Sequence, residues 1–237
     1  MRWAQISNIG LVRALNEDSL CISPKTGLFA VADGMGGHRA GEVASSMALR
    51  VLERELGRKL AGGALPEKAL VESIKEANRS VYELSGRNPE WAGMGTTVTA
   101  CLKRGRELYV GQVGDSRAYL IRDGVITRLT EDHSLVQELV KNGGITEEQA
   151  FNHPQRNVLT RALGIELSLE VDLYRFQVVP GNLILICTDG LTKYLRPEEI
   201  LLTVSNSPDL EASLQNLLAR ALACGGSDNI TMILLEC

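Results

Sequence analysis

Short apolar runs, rich in β-branched residues and no longer than a strand, recur along the chain. Residues 28–33, 96–102, 107–113, 117–121, 171–178, 183–188 and 230–235 read as strands. Asp123-Gly124 lies between two such runs and is a two-residue hairpin signal. Consecutive strands joined this way predict antiparallel pairing rather than a doubly wound parallel sheet. Three segments carry helical spacing instead. Residues 42–60 place Ala44, Ala48, Leu52 and Leu56 on one face. Residues 66–84 do the same with Leu70, Ile74, Ala77, Val81 and Leu84, and Pro66 stands where a helix start tolerates proline. Residues 209–224 carry Leu210, Leu214, Leu217 and Ala221, and Gly225 is a good stop. Each helix has a single apolar face, so the sheets must be partly covered by helices in a layered α+β arrangement.

Between His133 and Arg161 the periodicity weakens, and Gly143-Gly144 and His153-Pro154 interrupt short amphipathic pieces. This segment reads as a partly helical surface insertion, either a loop without a role or a flap that faces substrate. Repeats, low-complexity tracts and long linkers are missing, which favours one domain over residues 1–237.

Composition narrows the function classes. The 237 residues are 44% hydrophobic and 23% charged, as expected of a soluble globular protein. A formal net charge of -4 gives no reason to expect nucleic acid or an anionic membrane as partner. The longest apolar runs have strand length, and the first ten residues lack the basic and apolar stretches of a signal peptide. The five cysteines form no CxxC pair and read as reduced, mostly buried small hydrophobes of a cytoplasmic protein. His38, His133 and His153 are too scattered for a zinc site.

The chemistry lies in four aspartates at strand edges. Asp33 closes the run from 28 and precedes Gly34; Asp189 closes the run from 183 and precedes Gly190. Asp115 follows the run 107–113, and Asp228 precedes the run 230–235. Taken singly, an Asp-Gly after a strand is most often a turn. Taken together, partly desolvated carboxylates converging on one place would repel each other, and a divalent cation removes both penalties. Mg²⁺ and Mn²⁺ prefer carboxylate, carbonyl and water oxygens, so histidine and cysteine are not required.

The flanks of these aspartates add specificity. In order along the chain stand Gly10-Leu11-Val12-Arg13, Asn16-Glu17-Asp18, Val31-Ala32-Asp33-Gly34-Met35-Gly36-Gly37-His38 and Gly93-Met94-Gly95-Thr96-Thr97. Then follow Val113-Gly114-Asp115-Ser116-Arg117, Thr130 with Asp132-His133-Ser134, Cys187-Thr188-Asp189-Gly190-Leu191 and Gly226-Ser227-Asp228-Asn229-Ile230-Thr231. With these motifs in this order the chain resembles the PPM/PP2C family of metal-dependent serine/threonine phosphatases, in its compact bacterial form, over nearly its whole length.

The resemblance implies a four-layer α-β-β-α sandwich, two antiparallel sheets face to face with helices outside each. It implies that Asp33 bridges two metal ions, that the Gly34 carbonyl binds one of them, and that Asp189 and Asp228 bind the other. Asp115, with Asp189, is similar to the pair that holds a third, weaker ion. Glu17 and Asp18 look like outer ligands acting through water, and Arg13 like the phosphate-binding guanidinium. Read alone, Arg13 would be a surface ion-pair residue; Asn16-Glu17-Asp18 beside it points to phosphate. The implied reaction is hydrolysis of phosphoserine or phosphothreonine by a water shared between Mn²⁺ or Mg²⁺ ions. The implied partners are phosphoprotein substrates and an opposing Ser/Thr kinase, with the phosphatase acting as a monomer. Animal relatives carry histidine directly after the Asp-Gly as the proposed acid. Met35 stands there in this chain, which leaves a metal-bound water as the first choice of acid; His38 reads as structural or at the rim. Cys187 lies in an apolar strand and reads as core rather than as a nucleophile.

Two other classes compete. A binding module that had lost the chemistry would have lost metal ligands, and each is present. A nuclease or nucleotide phosphohydrolase would suit the aspartates alone, but not the acidic balance or the ordered motifs.

Overall fold

The structure is a computed structural model that describes residues 1–36 and 40–237. Strands β1 (Arg2–Asn8), β2 (Asp18–Ser23) and β3 (Leu28–Met35) are followed by helices α1 (Ala40–Ala61) and α2 (Pro66–Arg87). Next come β4 (Gly95–Thr96), β5 (Val98–Arg104), β6 (Glu107–Val113), β7 (Arg117–Arg122) and β8 (Val125–Arg128). The segment between β8 and β9 (Asp172–Gln177) carries α3 (Leu135–Lys141) and α4 (Glu147–Phe151). The chain ends with β10 (Leu183–Cys187), α5 (Asp189–Thr192), α6 (Pro197–Ser205), α7 (Leu210–Ala223) and β11 (Ile230–Glu236).

Every strand pair is antiparallel, as the hairpin signals predict. One sheet has the order β1-β11-β10-β7-β8, the other β2-β3-β5-β6-β9 with β4 beside β3. Three apolar clusters fill the three interfaces of four layers. Phe29, Val31 and Val110 of one sheet meet Leu120, Ile186 and Ile233 of the other between the sheets. Leu52, Leu56, Leu70 and Ile74 seat α1 and α2 on one outer face. Leu191, Ile200, Leu214 and Leu217 seat α5, α6 and α7 on the other. The α-β-β-α sandwich is thus the observed fold. Of the expected helical stripes only Leu84 and Leu210 are half-buried rather than buried.

Some boundaries differ from the sequence reading. The run 96–102 is split at Thr97, whose amide and hydroxyl turn to the Asp33 main chain instead of a ladder. Edge strand β1 was not expected, because only Ala4 in it is buried and little alternation results. Helix α6 was also not expected, although Pro197 at its first turn and a Glu199 side chain accepting from Arg196 N–H mark its start. Asp123 and Gly124 both have positive φ, as a type I′ turn between β7 and β8 requires. Cys101 and Cys187 are buried, Cys21 and Cys237 half-buried, and Cys224 exposed.

Unlike Asp123-Gly124, the Asp-Gly pairs of the acidic motifs are not turns. Asp33-Gly34 continues strand β3, and Asp189-Gly190 opens α5. Both glycines are needed for close backbone approach. A Cβ on Gly34 would lie 2.1 Å from the Gly41 carbonyl oxygen, and one on Gly190 would lie 1.9 Å from the Asn229 carbonyl oxygen. Gly190→Ala is therefore expected to cost about 3 kcal/mol and lower Tm by roughly 6–12 °C. Gly86→Ala, at an exposed helical position with open space around it, should leave Tm unchanged or raise it. Equal melting curves for the two variants would contradict the close-approach account.

Candidate active site

Strand register brings the expected residues to one end of the sandwich. Cys187 pairs with Arg117 on one side and Met232 on the other, so the ends bearing Asp115, Asp189 and Asp228 coincide. In the second sheet Asp18 stands directly opposite Asp33. Like charges directly opposite in an antiparallel pair are destabilising, and this pair is enclosed by protein. Thr188 ties the sheets together there: its hydroxyl donates to Asp18 Oδ2 at 2.8 Å and accepts from the Thr231 amide at 3.0 Å.

A cleft of about 210 Å³ is lined by Arg13, Glu17, Asp33, Gly34, Met35, Asp115, Asp189 and Asp228. All the sequence-derived candidates except Asp18 line it, and Asp18 lies buried beneath, paired with Asp33. A larger cavity of about 430 Å³ adjoins it under α3 and α4 and shares Asp115, Asn157, Asp189 and Lys193 with it. The carboxylates mark the smaller cleft as the chemical one. His38 lies outside the described residues.

The motifs around the carboxylates explain how they are held. The Asp33 amide donates to Thr97 Oγ1 at 2.9 Å, while Thr96 Oγ1 and the Thr97 amide donate to the Asp33 carbonyl, each at 2.9 Å. The Gly114 amide donates to His133 Nδ1 at 3.1 Å, and the His133 amide donates to the Gly114 carbonyl at 2.9 Å, which fixes the loop of Asp115. Arg117 and Arg128 close on Asp132 at 2.7 and 2.6 Å. Asn229 is a staple: its Nδ2 donates to the carbonyls of Ile9 and Leu15 at 2.9 and 3.0 Å, and its Oδ1 accepts from the Glu17 amide at 2.8 Å. The Arg13 loop, Glu17 and Asp228 are thereby fixed to one another.

Electrostatics divides the carboxylates. Burial pushes Asp33 well above the usual carboxylate range, and Asp18, Asp189, Asp115 and Asp228 push it further. Asp115 rises for the same reason, with Asp189 and Asp132 as neighbours. Both keep a little surface open to the cleft, yet protein surrounds them elsewhere and enclosure dominates. Burial carries Asp18 to about 7 against the Thr188 hydrogen bond. Burial also raises Glu17, with Arg13 opposing. Asp228 is the exception: burial raises it, but Lys193 and Arg13 outweigh burial and its pKa falls. Arg13 Nε stands 2.8 Å from Asp228 Oδ1 with half its side chain exposed. Lys193 Nζ stands 2.7 Å from Asp189 Oδ2 and 2.5 Å from Asp228 Oδ2. Among the described residues Asp18 Oδ1 and Asp189 Oδ1 are buried without a hydrogen-bond partner. Among the described residues no three acidic, histidine or cysteine side chains are drawn tightly enough together to hold an ion as they stand; Lys193 and Arg13 take up part of their charge.

An acidic cleft at the end of a four-layer sandwich, held by these motifs, defines a phosphatase architecture. The protein phosphatase 2C family model matches residues 13–234, and the chain belongs to that family of metal-dependent serine/threonine phosphatases. The serine/threonine phosphatase stp of Listeria innocua is 38% identical over 96% of this chain and 92% of its own length. The crystal structure of the Mycobacterium tuberculosis serine/threonine phosphatase PstP/Ppp superposes with TM-score 0.90 at 39% identity, covering 99% of this chain and 97% of that one. A structure of the PstP catalytic domain in complex with two manganese ions gives TM-score 0.89 at 38% identity, covering 99% and 97%.

Lys193 and the staple of Asn229 were missed in the sequence. Lys193 lies four residues after Asp189, where a helix start would place it over the same face; that spacing was the available signal. Asn229 stood in the motif around Asp228, but its role as a staple left no sign, because its partners Ile9, Leu15 and Glu17 are distant in sequence.

These shifts predict how stability depends on pH in the metal-free protein. Asp18 in the native state keeps a proton up to about 7, whereas the unfolded chain releases it near 3.9. Stability from this proton is present at low pH and is lost as pH rises through about 7. Burial lowers the pKa of His133, which favours higher pH and opposes this, so Asp18→Asn serves as reference. In chelator, wild-type Tm is expected to fall relative to Asp18→Asn between about pH 4 and about pH 7 and to level off above that. A constant difference would contradict the burial of an ionisable Asp18.

Proposed function

We propose that the acidic cleft removes phosphate from phosphoserine and phosphothreonine in phosphoproteins, in opposition to a Ser/Thr kinase, with Mn²⁺ or Mg²⁺ as cofactor. One observation carries this: five carboxylates and a half-exposed guanidinium share one small cleft. Carboxylates alone would repel a phosphate, and the guanidinium alone would not explain buried oxygens without partners. The orphaned oxygens of Asp18 and Asp189 are hard donors of the kind these cations take, so the residues fit divalent ions. Asp33, the Gly34 carbonyl, Asp189 and Asp228 would hold two of them, and Glu17 and Asp18 would act through water. Asp115 stands on the flank assigned by resemblance to a third. When bound, such ions neutralise phosphate charge and make water acidic enough to serve as the nucleophile near neutral pH.

The chain's own residues do the rest. Arg13 offers a planar fork to two phosphate oxygens, which lysine does not reproduce. It already faces the cleft and exchanges its Asp228 carboxylate for phosphate. Met35 lines the cleft but carries no proton, so the leaving oxygen is protonated from water. Cys187 is buried, and burial pushes its thiol up to about 12, so no phosphocysteine forms. Residues 1–237 serve as one catalytic unit. The segment 133–161, whose α3 and α4 cover the larger cavity, acts as a flap beside the cleft.

Mn²⁺ or Mg²⁺ is expected to support hydrolysis of a small phosphate ester, and chelator to abolish it. Asp189→Ala should lower kcat by at least about a hundredfold. Undiminished turnover in chelator would contradict the metal centre. Arg13→Lys should cost about tenfold in kcat/KM, mostly through KM. Exchanging 133–161 for the matching segment of a relative should alter preference among phosphoproteins more than activity on the small ester; unchanged preference would remove the flap role.

A further inference from the structure

We infer, building on the metal centre proposed above, that Lys193 is a built-in cation that stands in for a third divalent ion, so that this chain binds two ions rather than three. The position of the ammonium is fixed by the fold. Asp189 opens α5, and Lys193 caps its end with its amide donating to the Asp189 carbonyl at 2.8 Å. Side chains four residues apart on a helix lie on one face, so the lysine returns over the aspartate that starts the same turn. Its ammonium then bridges Asp189 Oδ2 and Asp228 Oδ2, with only 11% of the side chain exposed.

The side of the cluster matters. Lys193, Asp115 and Asp189 are among the four residues common to the acidic cleft and the adjoining larger cavity. Lys193 therefore stands at the partition between the two spaces. That is the flank where Asp115 and Asp189 would have to share a further ion. Asp115 feels the Lys193 charge directly. A dication placed there would meet an ammonium that is already held by two carboxylates and has no open solvent to retreat into.

Oxygen supply and charge agree. Asp189 turns Oδ2 to Lys193 and keeps Oδ1 buried and unpartnered among the described residues, so a core ion meets a free oxygen, whereas a further ion would have to compete with the ammonium for Oδ2. Glu17, Asp18, Asp33, Asp115, Asp189 and Asp228 carry six negative charges when ionised. Two dications with Lys193 and Arg13 balance them, and the charge closes without a third ion. A cation that belongs to the chain also supports the cluster when metal is scarce, because it cannot dissociate.

The test is a count of bound Mn²⁺ on the full chain, by equilibrium dialysis or calorimetry, for wild type, Lys193→Met and Lys193→Arg. Two ions are expected in wild type and in Lys193→Arg, and a third, weaker one in Lys193→Met. Lys193→Gln serves if the methionine variant does not fold. In chelator the neutral variants should melt below wild type, and saturating Mn²⁺ should close that gap. Three ions in wild type, or only two in both neutral variants, would overturn the role of Lys193 and leave the two-ion centre standing. No bound Mn²⁺ in wild type would instead remove the centre itself.

Discussion

Mutual repulsion among carboxylates at one end of the sandwich is the constraint around which the molecule is arranged. Asp18 and Asp33 face each other across a strand pair, Asp115 arrives from the connection between β6 and β7, and Asp189 and Asp228 arrive from the ends of β10 and β11 in the other sheet. Isolated ionised carboxylates are costly to enclose, and several together more so. Burial raises the pKa of Asp18, Asp33 and Asp115, so the protein by itself favours their protonated forms. Only cations at the cleft let them remain ionised near neutral pH. Packing of the two sheets, and the three apolar clusters that hold four layers together, sustain this cost.

The cleft is built from main chain as much as from side chains. Thr96 and Thr97 grip the Asp33 backbone, His133 grips Gly114, and Asn229 grips the Arg13 loop and Glu17. Gly34 and Gly190 allow backbones to approach closer than any Cβ permits. Such support explains why the motifs extend beyond their aspartates. The Thr-Thr, Asp-His-Ser and Asp-Asn elements hold the carboxylates in place rather than reacting.

Much of this was legible in the sequence. Apolar periodicity located α1, α2 and α7 to within a few residues, and the strands β3, β6, β7, β10 and β11, because each carries a strong buried stripe; β9 showed through its alternation of half-buried and exposed positions. Edge strand β1 and the half-buried β2 carry too little alternation to be read. The aspartates that gather in the cleft were found because they flank apolar runs and stand in ordered motifs. Taken singly an Asp-Gly reads as a turn, which holds at Asp123-Gly124, whereas at Asp33-Gly34 and Asp189-Gly190 it marks close backbone approach. The Lys193 bridge had only its four-residue spacing from Asp189 to announce it, and the contacts of the Asn229 staple arise from loop packing between segments distant in sequence. The four-layer architecture came from family resemblance, since periodicity gives the layers but not their order.

The most direct test of the central claim is anomalous diffraction at the manganese edge from crystals grown with Mn²⁺. The account predicts strong peaks inside the cleft, bounded by Asp33, Asp189 and Asp228. A cleft without anomalous density, with Asp189 and Asp228 still held by Lys193 and Arg13 at saturating Mn²⁺, would contradict it.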